Sequence, residues 1–297
     1  GMGSDQVRVL RTEQIAAIGY EGVRGLSTGS IGVLDSSQVR SLTTLQVSVL
    51  SSAQVGAIGT GGLLGMESAD VGVLSSVQVS GLTGAQMGVL GSGQVGAFST
   101  GALAGLKSGQ IGSLTTAGMG GLRSEQVGVL SSVQVKGLST GQIFGLTSVQ
   151  MVGMSTVALR ALSSGQVGAM TSVVLGGLTT EQVSALTSVQ LGSLSTVALG
   201  GFETADLAVL SSVQVRGMGS DQVRVLRTEQ IAAIGYEGVR GLSTGSIGVL
   251  DSSQVRSLTT LQVSVLSSAQ LGAIGTGGMV GMESSDLNLL SSLQVRG

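Results

Sequence analysis

"LSSVQVKG LSTGQIFG LTSVQMVG" occupies Leu130–Gly153 and consists of three eight-residue phrases joined without a gap. Each opens on Leu, follows with a Ser/Thr pair, puts Gln fifth and sets Val, Ile or Met sixth. Extending the frame both ways covers Met2 to Gly297 as 37 consecutive octads, with no insertion or deletion. Position one is Leu, Met, Ile or Phe in all 37, and position six is Val, Ile, Leu or Met in all 37. Position three is Ser or Thr in 34 octads and position five is Gln in 23. Positions two, four and seven vary and carry nearly every charge. A period this strict marks a repeat architecture.

Two buried apolar side chains per octad contribute roughly 3–6 kcal/mol of transfer free energy. Ordering eight residues costs about 1–2 kcal/mol each in backbone entropy. One octad therefore cannot stand alone, and only stacking on its neighbours makes the sum favourable, which is the logic of a solenoid. A Ser or Thr followed three places later by Gln is a capping box, and apolar residues at positions one and six suit a hydrophobic staple. Position two is Ser, Thr, Gly or Asp in 30 octads, all good N-caps. Gly at positions seven and eight supplies a stop before the next cap.

The fold class expected is thus all-α, a superhelical solenoid of very short helices, one per octapeptide. The hydroxyl at position three has no role in this register; it either bonds to an adjacent coil or is itself the cap. The competing form is a β-solenoid, favoured by the Gly content and the β-branched residues. Positions one, six and eight lack strand alternation, and Asn-Gly or Asp-Gly corners are absent, so the helical form is preferred.

Longer periods overlie the octad. Gln is missing from position five in "IGYEGVRG" (18–25), "IGTGGLLG" (58–65) and "FSTGALAG" (98–105), forty residues apart. A second set, from Leu114, Met154, Leu194, Ile234 and Ile274, keeps the same spacing. These gaps reflect either a turn of roughly five octads or the duplication of a five-octad block with no geometric meaning, and Gly or Ala there permits close approach at a seam. Residues 1–81 recur at 217–297 with 72 of 81 positions identical. Residues 1–297 read as one continuous array. Frames that open and close on whole octads, with no capping segment, suggest either a fragment of a longer array or a unit that joins its own kind head to tail.

Composition narrows the chemistry. The 297 residues contain no His, Cys, Pro or Trp, only two Tyr and three Phe, and 51 Gly. Without His or Cys, the usual zinc, haem and thiol ligands are missing, as is Ser-His or Cys-His catalysis. Charged residues are 10 % and the net charge is −2, which argues against a nucleic-acid footprint. No apolar run approaches the ~18 residues of a membrane span, and the first residues do not read as a signal peptide.

Three acid pairs stand out: Glu67/Asp70, Glu203/Asp206 and Glu283/Asp286. Such spacing could hold Ca²⁺ or serve glycoside hydrolysis. The simpler reading puts Asp in the Gln position and Glu in the first turn, where acids suit a helix N-terminus. Gly59–Gly65 lacks the Lys-Ser/Thr of a phosphate loop. Arg8, Arg24, Arg40, Lys136, Arg160 and Arg216 share position seven and read as solubilising charges. The recurrent Gln side chains, stacked at coil spacing, are expected to form amide ladders. No catalytic, cofactor-binding or metal-ligating residues and no cofactor are therefore expected.

The phrases "LTTxQV", "LSSxQV" and "LSTGQI" resemble the Leu-Thr-Thr-x-Gln-Val arrays of very long bacterial proteins described as secreted surface proteins, adhesins or haem-utilisation proteins. The resemblance covers the whole chain. A haem role finds no ligand-like setting here beyond Tyr20 and its copy Tyr236. The resemblance implies an exported bacterial structural protein, extracellular or at the cell surface. The function expected is a non-enzymatic, self-associating filament or stalk, built by axial stacking of coils. Its partners are copies of itself, head to tail or laterally, with surface or glycan contact as a further option. The alternative is an adhesin or ice-binding array presenting Ser/Thr ladders.

Overall fold

In the computed structural model, which describes residues 2–296, every octad forms one helical element. Thirty-six are α-helices of four to six residues, and the octad beginning at Leu194 forms a 3₁₀ turn, Ala198–Gly201. No strand occurs among the described residues, so the helical solenoid is the fold and the β form is set aside. The molecule comprises two compact units, Gly1–Ala161 and Leu162–Gly297, each described by itself below.

The local logic lies in position two. Ser51, with φ −71° and ψ 160°, is extended, and its hydroxyl accepts from the Gln54 N–H. Gln54 Oε1 in turn accepts from the Ser51 N–H at 2.8 Å. The same reciprocal cap recurs at Thr83/Gln86 in the first unit and Thr259/Gln262 in the second. Where position two is Gly, Lys or Arg, as at Gly91, Lys107 and Arg123, only the Gln half remains. Where both halves are present, two N–H groups at the helix start are satisfied within one octad, which favours a helix of a single turn.

Position three is the first helical residue, not the cap. Termination also differs from expectation, since no described residue has positive φ. The glycines at positions seven and eight are not left-handed stops. The helix ends because the next positions one and two turn extended, as at Ile58 (φ −57°, ψ 124°) and Gly59 (ψ 149°).

Positions one and six point inward together. Val39, Val47, Val55, Ile111 and Ile143 at position six are fully buried, and Leu50, Leu74 and Leu130 at position one are 3 % exposed. Phe98 and Phe202 occupy position one without disturbing the frame and are buried as deeply as their aliphatic neighbours. Each unit's core is therefore a column of apolar pairs, mostly aliphatic, one pair per octad except near the chain ends, where Met2, Leu287 and Val295 are exposed.

The expected turn of about five octads is corrected by the packing. In the first unit, helix Ser124–Gly128 lies against helix Ser148–Gly153, three octads on. In the second unit, Ser164–Gly168 lies against Ser188–Ser193 in the same relation. Side-chain bonds reach back 28 to 31 residues, for example from Gln86 to Val55 and Ile58. A turn therefore holds between three and four octads. The bend at each extended cap is sharper than the forty-residue spacing suggests.

Coils approach each other through backbone. A Cβ built on Gly121 would overlap the Ser92 carbonyl, and one on Gly65 would overlap the Ser36 carbonyl, each 29 residues back. Gly201 and Gly217 in the second unit meet Ser172 and Ser188 in the same way. Where the earlier residue is Thr116, the coil stands off: the nearest atom of that residue to a Cβ on Gly145 is the Thr Cβ, at 3.6 Å. Position three thus acts as a spacer, with Ser admitting the next coil's Gly. Gly121→Ala should destabilise the array by about 1–3 kcal/mol through overpacking. Gly109→Ala, in a helix with open space around it, should stabilise by about 0.5–1 kcal/mol. Thermal unfolding of the two variants beside the parent chain checks both signs.

Candidate functional site

The most elaborate polar arrangement is the Gln at position five. Its Oε1 completes the cap within its own octad, and its Nε2 crosses to the preceding coil. Gln38 Nε2 donates to the Leu10 carbonyl at 2.8 Å, with Val7 and Arg8 at 3.2 and 3.3 Å. Gln142 reaches Ile111 and Leu114 at 2.9 and 2.8 Å. In the second unit, Gln222 reaches Leu191 and Leu194 at 2.9 and 2.7 Å. These side chains are buried, and among the described residues no buried side-chain polar atom lacks a partner. The amides do not stack on one another as a ladder. They bind main-chain carbonyls, because each coil leaves carbonyls of its helix ends facing the next.

This geometry explains the residue choice. A capping box accepts Gln or Glu equally, yet no octad has Glu at position five. Only the amide is both acceptor and donor. Departures from Gln follow the same geometry. Ser30 Oγ donates to the Met2 carbonyl at 3.2 Å, the same 28-residue offset with a shorter arm. A Cβ on Gly62 would lie 2.6 Å from the Leu34 carbonyl, and one on Gly278 2.7 Å from the Leu250 carbonyl. At those octads the coils are too close for a long side chain, as the expected seam of Gly and Ala requires.

The acid pairs do not converge on a common point. Glu67 is exposed, with Oε1 3.9 Å from Arg40 Nε. Asp70 is buried, and its Oδ2 accepts from the Glu67 N–H at 3.2 Å. Asp206 and Asp286 take the N–H groups of Glu203 and Glu283 at 3.0 and 3.3 Å. Burial, the largest influence, pushes the Asp70 and Asp206 carboxyls above the ordinary Asp value; the capping N–H opposes this, and the neighbouring Glu charge adds to the rise. Asp therefore performs the capping half of the Gln role. Among the described residues no group of three or more Asp or Glu could hold a metal ion.

The remaining candidates serve packing or lie at the surface. Gly59 caps helix Thr60–Leu63, while Gly62 and Gly65 face backbone of the preceding coil. Arg8, Arg24, Arg40, Lys136, Arg160 and Arg216 are all exposed, and Tyr20 and Tyr236 are half-exposed. No described helix is long and apolar enough to cross a membrane. An open recess in the second unit is lined by Leu271, Met279, Leu287, Leu290 and Val295, with Ser268 and Gln294 as its polar side chains. It contains no ionisable group. Sequence reasoning missed one surface feature, a set of exposed position-four valines. Val77, Val133, Val149 and Val157 lie in the first unit, and Val173, Val189, Val197 and Val213 in the second. The signal was present in the recurrent Ser/Thr-Ser/Thr-Val phrases, such as "SSVQ", "TSVQ" and "STVA".

Gln86→Glu keeps the cap acceptor but sets a carboxylate against the Val55 and Ile58 carbonyls. It should cost about 1–3 kcal/mol at pH 7 and recover as acid protonates the new side chain. Local hydrogen exchange over residues 82–89 is the suitable measurement, since long repeat arrays depart from two-state unfolding.

No curated protein matches the chain. The family model of the ALTTAQ repeat matches residues 63–100 and 199–235. Each stretch includes an Asp octad ("MESADVGV" or "FETADLAV") followed by "LSSVQV". In these two regions the octapeptide repeat is similar to the ALTTAQ repeat.

Proposed function

We propose that this protein is a structural, non-enzymatic array that forms or extends an extracellular filament or stalk by axial stacking of coils. The observation that supports this most strongly is the constant offset of the Gln bridge. Each coil consumes carbonyls of the one before it and offers an equivalent set to the one after. Such a surface is its own complement along one direction, and a repeating contact that does not close on itself propagates as a fibre. Small residues at positions seven and eight suit the same end, because they let main chain pack on main chain.

The extracellular setting rests on the resemblance of the "LTTxQV" and "LSSxQV" phrases to secreted bacterial arrays. A ladder-presenting adhesin has less support, since position-three serines such as Ser92 and Ser172 lie against a glycine of the next coil and position-two hydroxyls are engaged with helix N–H groups, as at Ser51 and Thr83. Electron microscopy of purified protein should show rods or fibres of uniform width that lengthen with concentration. Discrete globules of fixed size at all concentrations would overturn the proposal.

A further inference from the structure

Among the octads that leave Gln out of position five, those with Asp70, Asp206 and Asp286 place an ionisable group where the coils are otherwise bridged by an amide. All three side chains are buried, at 4, 3 and 2 % exposure. Their carboxyls accept the cap N–H of the preceding Glu, as Gln Oε1 does elsewhere. The second half of the Gln role, donation to the coil behind, is closed to a carboxylate, which has acceptors only. By the common offset of 28 and 31 residues, the carbonyls a Gln would meet are Leu42 and Val39 for Asp70, and Leu178 and Leu175 for Asp206. A carboxylate at this position has no proton to offer toward those carbonyls, so the side-chain bridge to the coil behind is missing while the carboxyl stays buried.

The surroundings supply little compensation. Helix Ser68–Gly72, which carries Asp70, packs on Thr44–Ser48 and Ser92–Ala97, and neither contains a charged residue. The charges on its flanks are Glu67 and Arg40, which approach each other, and Asp35, which caps its own helix. Helix Thr204–Ala208, which carries Asp206, packs on Thr180–Ala185 and Thr228–Ala233. These bring Glu181 and Glu229, with Arg227 engaged by Glu229 at 2.5 Å. Glu203 is the neighbouring acid on its own octad.

We propose that Asp70 and Asp206 form acid-tightened seams, one in each unit. With the carboxyl deprotonated, the seam relies on apolar contact and the cap alone. A proton on the carboxyl removes the buried charge and supplies the O–H donor that Gln provides elsewhere as N–H. The sign follows from linkage: a group that binds its proton more tightly folded than unfolded favours the fold in acid. That contribution is complete below the ordinary Asp value of about 3.9 and is lost as pH rises through the higher folded value. Cohesion between these coils should therefore increase as the medium acidifies, against the usual trend for paired carboxylates.

The test uses the full chain and its D70N/D206N variant, in which a neutral amide replaces each acid. Carboxyl carbon NMR titration of the parent should place both resonances above the ordinary Asp range. Hydrogen-exchange protection over residues 66–73 and 202–209, corrected for intrinsic rates, should rise as the pH is lowered from 7 through the observed titration of the two carboxyls. In the variant, protection at pH 7 should already match the acid value and change little with pH. Carboxyls that titrate at or below the ordinary range would overturn the proposal. So would a variant with an unchanged pH dependence. The NMR titration needs only the parent chain, so it decides the matter even if the variant folds poorly.

Discussion

A primary amide that faces two ways holds this architecture together. At position five the Gln oxygen finishes the cap of its own one-turn helix, and the Gln nitrogen donates to the main chain of the coil behind. Short helices ordinarily fail because nucleation costs more than one turn returns. Here a single side chain lowers that cost locally and ties the result to a neighbour. The selection of Gln over Glu follows directly, since a carboxylate satisfies the first duty and opposes the second. Three aspartates that accept only the first duty are the exceptions that show how separable the two are.

Around that bridge the remaining letters adjust distance. Val, Ile, Leu or Met at position six and Leu, Met, Ile or Phe at position one fill the interior, and the pair is exposed only toward the ends, as at Met2, Leu287 and Val295. Gly at position eight meets the carbonyl of an earlier Ser, while Thr at that place holds the coil back. Gly at position five marks coils too close for any bridging side chain, and Ser30 marks one where a short hydroxyl suffices. Packing and hydrogen bonding are therefore alternatives at one position, chosen octad by octad.

Much of this was legible in the sequence. The octad frame, the helical character and the cap at position two follow from hydrophobic spacing and capping chemistry, which act within eight residues. The number of octads per turn was not legible. The forty-residue recurrence from Ile18 to Ile58 to Phe98 tracks where coils crowd, and crowding depends on both coils in contact. The partner of the Gln amide was likewise hidden, since a carbonyl 28 residues away leaves no mark in side-chain identity. The hydroxyl at position three made sense only once Gly121 was seen against Ser92. As for candidate sites, the missing His and Cys excluded familiar chemistry, and the acid pairs were read correctly as Gln substitutes. Their burial and lost donor needed the fold.

Hydrogen exchange at the Gln side-chain amides tests the account most directly. If each Nε2 is bonded to the preceding coil, the amide protons of Gln38, Gln86, Gln142 and Gln222 should exchange orders of magnitude more slowly than those of free glutamine. Exchange at the free rate, in a chain that is otherwise folded and helical, would mean that the coils are joined by something else.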